Sequence, residues 1–225
     1  MKQQELINYL ADSIQSIRRH RPLLVGIDGV DASGKTTLAD SLADYLKSRK
    51  IVVIRASIDG FHNPKSIRYQ KGRNSPEGYY YDSFNNQAII DNLLAPLGKN
   101  GTLKHKKAVF DFKTDCEVAV PVETAKQDSV LIMDGVFLFR PELVNYWGLK
   151  ILIEVDFKIS VKRAAKRDSY YLGSEKEILN KYNQRYVPGQ KLYFQEATPQ
   201  KVADIIVDNS DFENPVVTKG QKNAY

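Results

Sequence analysis

One segment of the chain has residue types and a spacing that can bind phosphate. Residues 29–36 read Gly-Val-Asp-Ala-Ser-Gly-Lys-Thr, which satisfies the pattern G-x-x-x-x-G-K-[ST]. Its glycines let the backbone curl so that successive N–H groups face a phosphate, and a helix that begins there adds its positive dipole end. Lys35 can reach the β- and γ-phosphates of a nucleotide, while the Thr36 hydroxyl can ligate Mg²⁺. The predicted nucleotide contacts are Gly29, Asp31, Ala32, Ser33, Gly34, Lys35, Thr36 and Thr37.

Two aspartates stand where an apolar strand ends. Asp134 follows the run Val130–Met133, and Asp59 ends the segment that begins with the run Ile51–Ile54. Ligands of open α/β sheets gather at the carboxyl ends of strands, so Asp134 is predicted on the Mg²⁺ side of the site. Asp59 is predicted to orient an attacking hydroxyl and to accept its proton. Each aspartate also opens an Asp-Gly pair, which is a turn signal, so a simple strand terminator is the alternative at both positions.

Four basic residues form two adjoining stripes on a predicted helix. Lys162 and Lys166 are four residues apart, as are Arg163 and Arg167, so each pair stacks along the helix axis. We interpret this helix as part of a lid that brings Arg163 and Arg167 onto a transferring phosphoryl group, where negative charge develops. Arg185 could join them. A solvated helix face is the alternative, because such faces are common.

These residues need a scaffold of strands and helices. Five apolar runs alternate with segments of helical period, and such runs suit a parallel sheet that is covered on both faces. The predicted strands are Leu23–Ile27, Ile51–Ile54, Val130–Met133, Ile151–Val155 and Ile205–Val207. The predicted fold class is therefore α/β, with a mainly parallel sheet flanked by helices.

The chain is predicted to form a single domain over residues 1–225, since this length suits one α/β core. Residues 1–21 are predicted to hold an amphipathic helix that ends near Arg18. Residues 59–123 have too little aliphatic content for a core of their own, so we interpret them as a substrate-binding insert. Residues 160–190 are predicted to form the lid region. Within the insert, one helix is expected near Asn85–Leu94 and a hairpin around Val109–Val120.

Composition narrows the classes of protein that fit. The single cysteine, Cys116, excludes an internal disulfide and zinc sites built on cysteine pairs, and it suits a reducing compartment. No apolar run approaches the roughly 20 residues that span a bilayer, and the first residues lack the apolar block of a signal peptide. A cytoplasmic protein without a membrane partner is therefore expected. The basic residues behind the net charge of +6 are scattered along the chain, which argues against nucleic acid as a partner. A homo-oligomer is an open alternative to a monomer.

Several segments resemble the uridine kinase and phosphoribulokinase family of P-loop kinases. Residues 26–37 are similar to the family's phosphate loop, and Ile58–His62 is similar to the segment that carries its catalytic aspartate. Further segments that resemble the family are Ser75–Phe84, Val109–Phe112 and Met133–Phe137. The similarity runs over nearly the whole chain, from about residue 23 to about residue 209.

The resemblance implies a P-loop NTPase fold and an ATP-dependent kinase that uses Mg²⁺. Its expected partner is a small-molecule substrate, with the 5′-hydroxyl of uridine or cytidine as the favoured acceptor. The resemblance implies that Asp59 is the general base, that Asp82 binds ribose hydroxyls and that Phe110 lies against the nucleobase. The remaining candidate substrate contacts are His62, Tyr81 and Arg185.

Two departures from the family pattern bear on the choice of acceptor. Asp134 stands where many members have Glu, which keeps the carboxylate and shortens its reach. Asp115 falls where nucleoside-specific members place a base-contacting His. Pantothenate, ribulose phosphate and other sugars are therefore alternative acceptors, and an ATP-driven nucleic-acid-binding protein is a more distant alternative.

Overall fold

Six strands form one sheet in the computed structural model, which describes residues 1–17, 20–168 and 175–220. In chain order the strands are β1 (Leu23–Gly29), β2 (Val53–Ser57), β3 (Val130–Gly135), β4 (Leu149–Glu154), β5 (Ile205–Asp208) and β6 (Val216–Lys219). Their order across the sheet is β6-β5-β4-β1-β3-β2, and all neighbours are parallel except β5 and β6. The predicted, mainly parallel α/β sheet is confirmed, and β6 adds an antiparallel edge that the apolar runs did not predict.

Two hydrophobic cores cover the two faces of the sheet, which explains why the central strands are apolar throughout. Side chains alternate between the cores, so that along β1 Leu24 faces one core and Val25 the other. One core includes residues of the helices Gln3–Ser16 and Lys35–Ser48. The other includes residues of the insert and of the helix Val187–Ala197. The two cores therefore hold the sheet in place, together with the residues at the carboxyl ends of its strands.

The N-terminal helix spans Gln3–Ser16 and is shorter than the predicted residues 1–21. Its apolar side chains recur at helical period and pack against the helix that follows β1. The buried ones are Leu6, Ile7, Leu10, Ala11 and Ile14. Arg18, where the helix was predicted to end, lies outside the described residues.

The insert contains short helices and two small hairpins. A helical run near the predicted Asn85–Leu94 consists of Asn86–Ile89, a π-helical turn Ile90–Leu94 and Ala95–Leu97. The hairpin predicted around Val109–Val120 pairs Phe110–Asp111 with Cys116–Glu117, and a second pairs Lys104–His105 with Glu123–Thr124. The remaining insert helices are Ile58–Phe61, Lys65–Arg68 and Pro76–Asp82.

The predicted lid region lies between β4 and β5. It contains the helices Phe157–Asp168 and Glu175–Lys181, and the π-helical turn Tyr182–Tyr186 leads into the helix Val187–Ala197. Residues 169–174 of this region lie outside the described part of the chain. The short helices Val144–Tyr146 and Pro199–Val202 complete the fold. No helix within the described ranges has both the length and the apolar character needed to cross a membrane.

Candidate active site

The carboxyl ends of β1, β2 and β3 meet at one edge of the sheet and border a cavity of about 710 Å³. The parallel register brings them together, because Ile27 of β1 and Ser57 of β2 both lie beside Asp134 of β3. Ligands of open α/β sheets bind at this edge. The lining residues include Asp31, Lys35, Thr36, Asp59, His62, Tyr79, Phe84, Phe112, Lys113, Asp134, Arg167, Tyr182 and Tyr186.

The phosphate loop, residues 29–36, is held in shape by a glycine and by Asn209. Gly34 has a φ of +91°, in the left-handed region, and a Cβ at this position would lie 2.7 Å from Asn209 Nδ2. Asn209 Nδ2 also donates to the Ser33 carbonyl at 2.7 Å. The helix Lys35–Ser48 begins directly after Gly34, so its positive dipole end lies at the loop. Glycine alone fits at this position, and the loop it shapes is suited to an anion.

Lys35, Thr36 and Asp134 lie together in the cavity. Lys35 Nζ donates to the Val30 carbonyl of the loop at 3.2 Å. Thr36 Oγ1 donates to Asp134 Oδ2 at 2.5 Å. Asp134 is buried, and its Oδ1 forms an ion pair with Arg55 Nη2 at 2.7 Å. The arginine therefore balances the charge of a carboxylate that would otherwise be costly to bury.

The Thr36–Asp134 pair fits a magnesium ion. Mg²⁺ prefers hard oxygen ligands, and proteins usually hold it by one or two side-chain oxygens together with water and substrate phosphates. A hydroxyl and a carboxylate already converge here at hydrogen-bond distance, and both line the cavity that contains Lys35. These two oxygens are the donor set that the phosphate chemistry requires.

Asp59 lies in a single 3₁₀ turn directly after β2 and opens onto the cavity. Although the residue is exposed there, the cavity walls remove enough water to raise the pKa of its carboxyl above the ordinary 3.8. A positive charge on Lys35, or on His62 when that ring is protonated, lowers this pKa, whereas the charges of Asp134 and Asp31 raise it further. A carboxylate with a raised pKa is a better proton acceptor at neutral pH, which suits Asp59 to act as a base.

His62 forms an aromatic wall of the cavity with Phe84 and Phe112. Its ring centroid lies 4.5 Å from that of Phe84 and 4.9 Å from that of Phe112. His62 Nδ1 lies 3.0 Å from the Asp59 carbonyl, which can only accept, so we assign the hydrogen to Nδ1. Loss of hydration lowers the pKa of His62, so the ring is neutral at neutral pH. Its Nε2 is then an acceptor for a hydrogen-bond donor on a substrate.

Comparison with known proteins places this site in a family. The sequence profile of the Phosphoribulokinase / Uridine kinase family matches residues 24–212. The chain belongs to this family. It is 24% identical over 195 residues to a uridine kinase of Bacillus mycoides, which covers 84% of this chain and 86% of that protein. It is 30% identical over 190 residues to uridine-cytidine kinase A of Dictyostelium discoideum, which covers 83% of this chain and 36% of that protein.

Solved structures of other kinases share the fold of this family member. A protein described as a possible uridine kinase from Bacillus stearothermophilus has a TM-score of 0.73 and 22% identity, over 90% of this chain and 97% of that one. D-glycerate 3-kinase from Cryptococcus neoformans has a TM-score of 0.57 and 14% identity, over 96% of this chain and 98% of that one. The predicted P-loop kinase fold is confirmed, and the family makes this chain an ATP-dependent kinase.

The predicted phosphate, metal and base residues of the kinase fall into three groups. Those that line the main cavity are Asp31, Lys35, Thr36, Asp59, His62, Asp134 and Arg167. Gly34 and Thr37 line a second, smaller cavity, and Gly29, Ala32 and Ser33 belong to the phosphate loop itself. The structure therefore brings the predicted phosphate, metal and base residues to one place.

Three predicted substrate contacts lie outside the lining of the main cavity. Tyr81 is exposed, and its hydroxyl donates to a glutamate of the helix Val187–Ala197. Asp82 forms an ion pair with a lysine of the insert at 2.7 Å. Phe110 is buried, whereas Phe112 on the same hairpin lines the cavity. The role of each of the three toward a substrate stays a prediction.

Arg185 and Asp115 have structural partners within the kinase. Arg185 is buried, and its guanidinium donates to four backbone carbonyls of residues 68–75 at 3.0–3.3 Å. Asp115 accepts from Arg68 Nη2 at 2.9 Å and from the backbone N–H of Lys65 at 3.0 Å. Arg185 thus anchors the lid region to the insert. The position for which the resemblance implied a base-contacting His is used here for an ion pair.

The two predicted lid arginines have different surroundings. Arg167 lines the main cavity, and its Nη2 donates to the Tyr182 hydroxyl at 3.4 Å. Arg163 Nη2 donates to the backbone carbonyls of Asn209 and Ser210 at 3.0 and 2.8 Å. Arg167 therefore shares the cavity with Lys35, and its role toward a phosphoryl group stays a prediction, whereas Arg163 ties the lid helix to the segment after β5.

Alanine substitutions should separate these two roles, although the sequence predicted the same role for both residues. Arg167→Ala is expected to lower kcat about 10–100-fold with little change in substrate affinity, because a lid cation acts on charge that develops in the transition state. Arg163→Ala is expected to lower the free energy of unfolding by about 1–2 kcal/mol with a small effect on kcat. Steady-state kinetics and thermal unfolding of both variants test this, and equal losses of kcat would restore a shared lid role.

Sequence reasoning missed much of the cavity wall. Phe84 and Phe112 lie in segments that resemble the family, but nothing in their spacing marked them as cavity residues. Tyr79 belongs to the run Tyr79–Tyr81, for which the sequence left open a substrate wall or simple packing, and it lines the cavity. Tyr182 and Tyr186, in the π-helical turn, also line the cavity. The π-helical turn itself is a structural signal, since such turns are frequent at functional sites, but it is visible only in the coordinates.

Asp28 is a fully buried carboxylate at the base of the phosphate loop. Its Oδ1 accepts from the Gly29 N–H at 2.7 Å, and its Oδ2 accepts from the Tyr193 hydroxyl. Burial raises the pKa of Asp28 to about 6, although these hydrogen bonds and the charge of Lys35 act in the opposite direction. Asp28 therefore holds a proton more tightly in the folded than in the unfolded chain.

The free energy of unfolding should consequently fall as the pH rises from 3.8, the ordinary pKa of aspartate, to about 6. The stabilisation from the proton on Asp28 is fully present below the unfolded value of 3.8 and is lost as the pH approaches about 6. Relative to Asp28→Asn, which cannot ionise, the wild-type protein should lose on the order of 2–3 kcal/mol. Urea unfolding of both proteins from about pH 4 to about pH 7 measures the difference. A difference that does not change with pH would contradict the raised pKa.

Proposed function

We propose that this kinase transfers the γ-phosphoryl group of Mg·ATP to the 5′-hydroxyl of uridine or cytidine and releases the nucleoside monophosphate. One observation carries the proposal: Lys35, Thr36 and Asp134 line the same cavity as Asp59. A phosphate-binding cation, a pair of oxygens suited to Mg²⁺ and a base with a raised pKa are the parts that phosphoryl transfer to a hydroxyl needs.

A second cavity, of about 220 Å³, offers room for the nucleoside part of ATP. Gly34 and Thr37 line it, so it adjoins the phosphate loop. Phe212 and Gln3 also line it, and Phe212 is 46% exposed. An aromatic ring beside the loop can stack on a purine. We therefore place the adenine of ATP here, with the phosphates extending toward Lys35.

The main cavity then supplies the chemistry. Asp59 orients the acceptor hydroxyl and accepts its proton as the oxygen attacks the γ-phosphorus, while the bond from that phosphorus to the β-phosphate oxygen breaks and ADP leaves. Lys35 and Arg167 offset the negative charge that spreads over the phosphoryl oxygens in the transition state. Mg²⁺, when bound at Thr36 and Asp134, neutralises charge on the donor phosphates.

The aromatic wall of His62, Phe84 and Phe112 supports a flat, uncharged acceptor. Ring faces of this kind pack well against a nucleobase. The Nε2 of neutral His62 can accept from an N–H group of uracil or cytosine. Relatives named uridine kinase or uridine-cytidine kinase, at 24–30% identity, point to the same acceptor. We place the reaction in the cytoplasm, because its proposed donor is Mg·ATP.

Lys113 favours a second candidate, an acceptor that carries an anionic group. Lys113 lines the cavity, and it follows Phe112 directly in the same hairpin. A cation at this position can pair with a carboxylate or phosphate, as in pantothenate or a sugar phosphate. The fold also accommodates such acceptors, since a D-glycerate 3-kinase shares it.

A panel of acceptors with Mg·ATP, scored by product mass, tests the proposal. We expect uridine and cytidine to give the highest kcat/KM and to yield their monophosphates. Lys113→Met should leave kcat/KM for these neutral acceptors within a few-fold, because they offer the lysine no anion to pair with. Phosphorylation of anionic acceptors alone, with a large loss in Lys113→Met, would instead establish the second candidate. If no acceptor of the panel is phosphorylated, the proposed function is overturned.

A further inference from the structure

The phosphate loop contains a carboxylate that the proposed chemistry does not use. Asp31 is the third residue of the loop and lines the main cavity with Lys35 and Asp59. Its charge raises the pKa of Asp59, so the two carboxylates interact. A negative charge inside a loop that binds polyphosphate should repel the ligand unless the carboxylate is held and its charge is dispersed.

Three elements from distant parts of the chain hold Asp31. Its Oδ2 accepts from the Tyr79 hydroxyl at 2.9 Å and from Gln190 Nε2 at 2.6 Å. Its backbone carbonyl accepts from Ser160 Oγ at 2.8 Å. These donors come from an insert helix, from the helix Val187–Ala197 and from the lid helix Phe157–Asp168.

The two side-chain donors are themselves fixed in place. Gln190 is 2% exposed, and Tyr193, one turn further along the same helix, donates to Asp28. The helix passes so close to the insert that a Cβ on Gly189 would lie 2.9 Å from a ring carbon of Tyr79. Burial raises the pKa of Tyr79 well above 10.0, so its hydroxyl keeps its proton and remains a donor.

We propose that Gln190 and Tyr79 are positioning residues that hold the Asp31 carboxylate against the two helices and so keep its charge from opposing Mg·ATP in the phosphate loop. The inference rests on the proposal that Mg·ATP is the donor. It gives a role to two residues whose hydrogen bonds to Asp31 involve no substrate atom. It also links the phosphate loop to the insert, because Tyr79 belongs to an insert helix.

A double-mutant cycle with Mg·ATP affinity as the readout tests this inference, and it requires no knowledge of the acceptor. The proteins are wild type, Gln190→Met, Tyr79→Phe, Asp31→Asn and the two doubles that combine Asp31→Asn with each donor variant. Titration calorimetry gives Kd for Mg·ATP, and thermal unfolding confirms that each protein is folded. Gln87→Met is the control, because Gln87 is exposed and its side chain donates to Asp91 rather than to Asp31.

Gln190→Met should raise Kd for Mg·ATP about ten-fold, and Tyr79→Phe should raise it by a similar factor, since each removes one charge-assisted hydrogen bond. Asp31→Asn should bind at least as tightly as wild type, because the charge is gone. In the Asp31→Asn background, neither donor variant should change Kd by more than about two-fold. The control should match wild type.

The inference would be overturned if the losses of Mg·ATP affinity in the donor variants did not depend on Asp31. If Gln190→Met raises Kd by the same factor with Asp31 and with Asn at that position, the glutamine acts through packing alone. A Kd within two-fold of wild type for both Gln190→Met and Tyr79→Phe would overturn it as well. Tyr79→Phe keeps the ring and its packing, so it decides the matter even if the glutamine variant fails to fold. Failure of wild type to bind Mg·ATP would be a different outcome, since it refutes the proposed donor.

Discussion

Replacing Asp59 with asparagine is expected to lower kcat by about 10²–10⁴-fold, the range that a positioned base contributes. Asparagine keeps the size and the polar contacts of the side chain, so the fold and the affinity for Mg·ATP should be retained. The turn that carries Asp59 is also unchanged, because its hydrogen bond with Ser57 uses the backbone N–H. Steady-state kinetics with the preferred acceptor, together with calorimetric binding of Mg·ATP, measure both quantities.

The pH dependence of the wild-type enzyme gives an independent check on Asp59. Protonation of a base removes it, so kcat/KM should fall as the pH is lowered. Loss of hydration raises the pKa of Asp59, so this fall should begin at a higher pH than the ordinary 3.8 of aspartate would give. The residual activity of Asp59→Asn should lack this acid limb. An unchanged limb in the variant would assign the titration to another group.

Lys35→Ala is expected to lower kcat/KM by about 10³-fold with an unchanged melting temperature. Lys35 is the phosphate-loop cation in the cavity, and it makes one hydrogen bond of its own, to the Val30 carbonyl. Its removal therefore costs little in folding and much in stabilising the charge of the phosphoryl group. Kinetics and thermal unfolding give the two numbers.

Lys113→Met is a matched control for Lys35→Ala, because both lysines line the same cavity. Lys113 belongs to the hairpin of the insert and has no anion to pair with in a neutral acceptor, so its loss should leave KM for ATP unchanged and kcat/KM for uridine within a few-fold. A normal turnover in Lys35→Ala would refute the assignment of residues 29–36 as the phosphate loop. Equal effects of the two variants on KM for ATP would show that charge in the cavity, rather than the loop position, binds the donor.

The sheet could be predicted from the sequence because its signal is local. Central strands such as β1 and β3 are buried on both faces and therefore read as unbroken apolar runs. The edge strand β2 was predicted two residues too early, since only alternate positions of Val53–Ser57 are buried and Arg55 interrupts the run. Strand β6 was missed because Val216 is exposed and the strand is held mainly by its backbone pairing with β5.

The phosphate loop, Asp59 and Asp134 were predictable for a related reason. Each lies at or just beyond the carboxyl end of an apolar strand, and the carboxyl ends of parallel strands meet at one edge. Sequence therefore fixes their position relative to the sheet without any knowledge of side-chain contacts. The structure adds the pairing of Thr36 with Asp134, which no local pattern contains.

The charged residues were harder to assign, because a sequence shows a charge but not its partner. Arg163 and Arg185 were predicted to face a substrate, yet both donate to backbone carbonyls far along the chain. Asp82 was predicted to bind ribose and is paired with Lys71. Asp31 was predicted to contact the nucleotide, and its partner Gln190 lies 159 positions away in the chain. Such contacts depend on the packing of whole elements.

Transfer of a labelled γ-phosphate from ATP to uridine is the measurement that tests the central claim most directly. The wild-type protein is incubated with Mg²⁺, uridine and ATP labelled on its γ-phosphate, and the products are separated by chromatography. We expect the label to appear in uridine 5′-monophosphate with wild type, and Lys35→Ala and Asp59→Asn to transfer almost none. Label released only as inorganic phosphate, or equal transfer by all three proteins, would contradict a kinase built on the phosphate loop and Asp59.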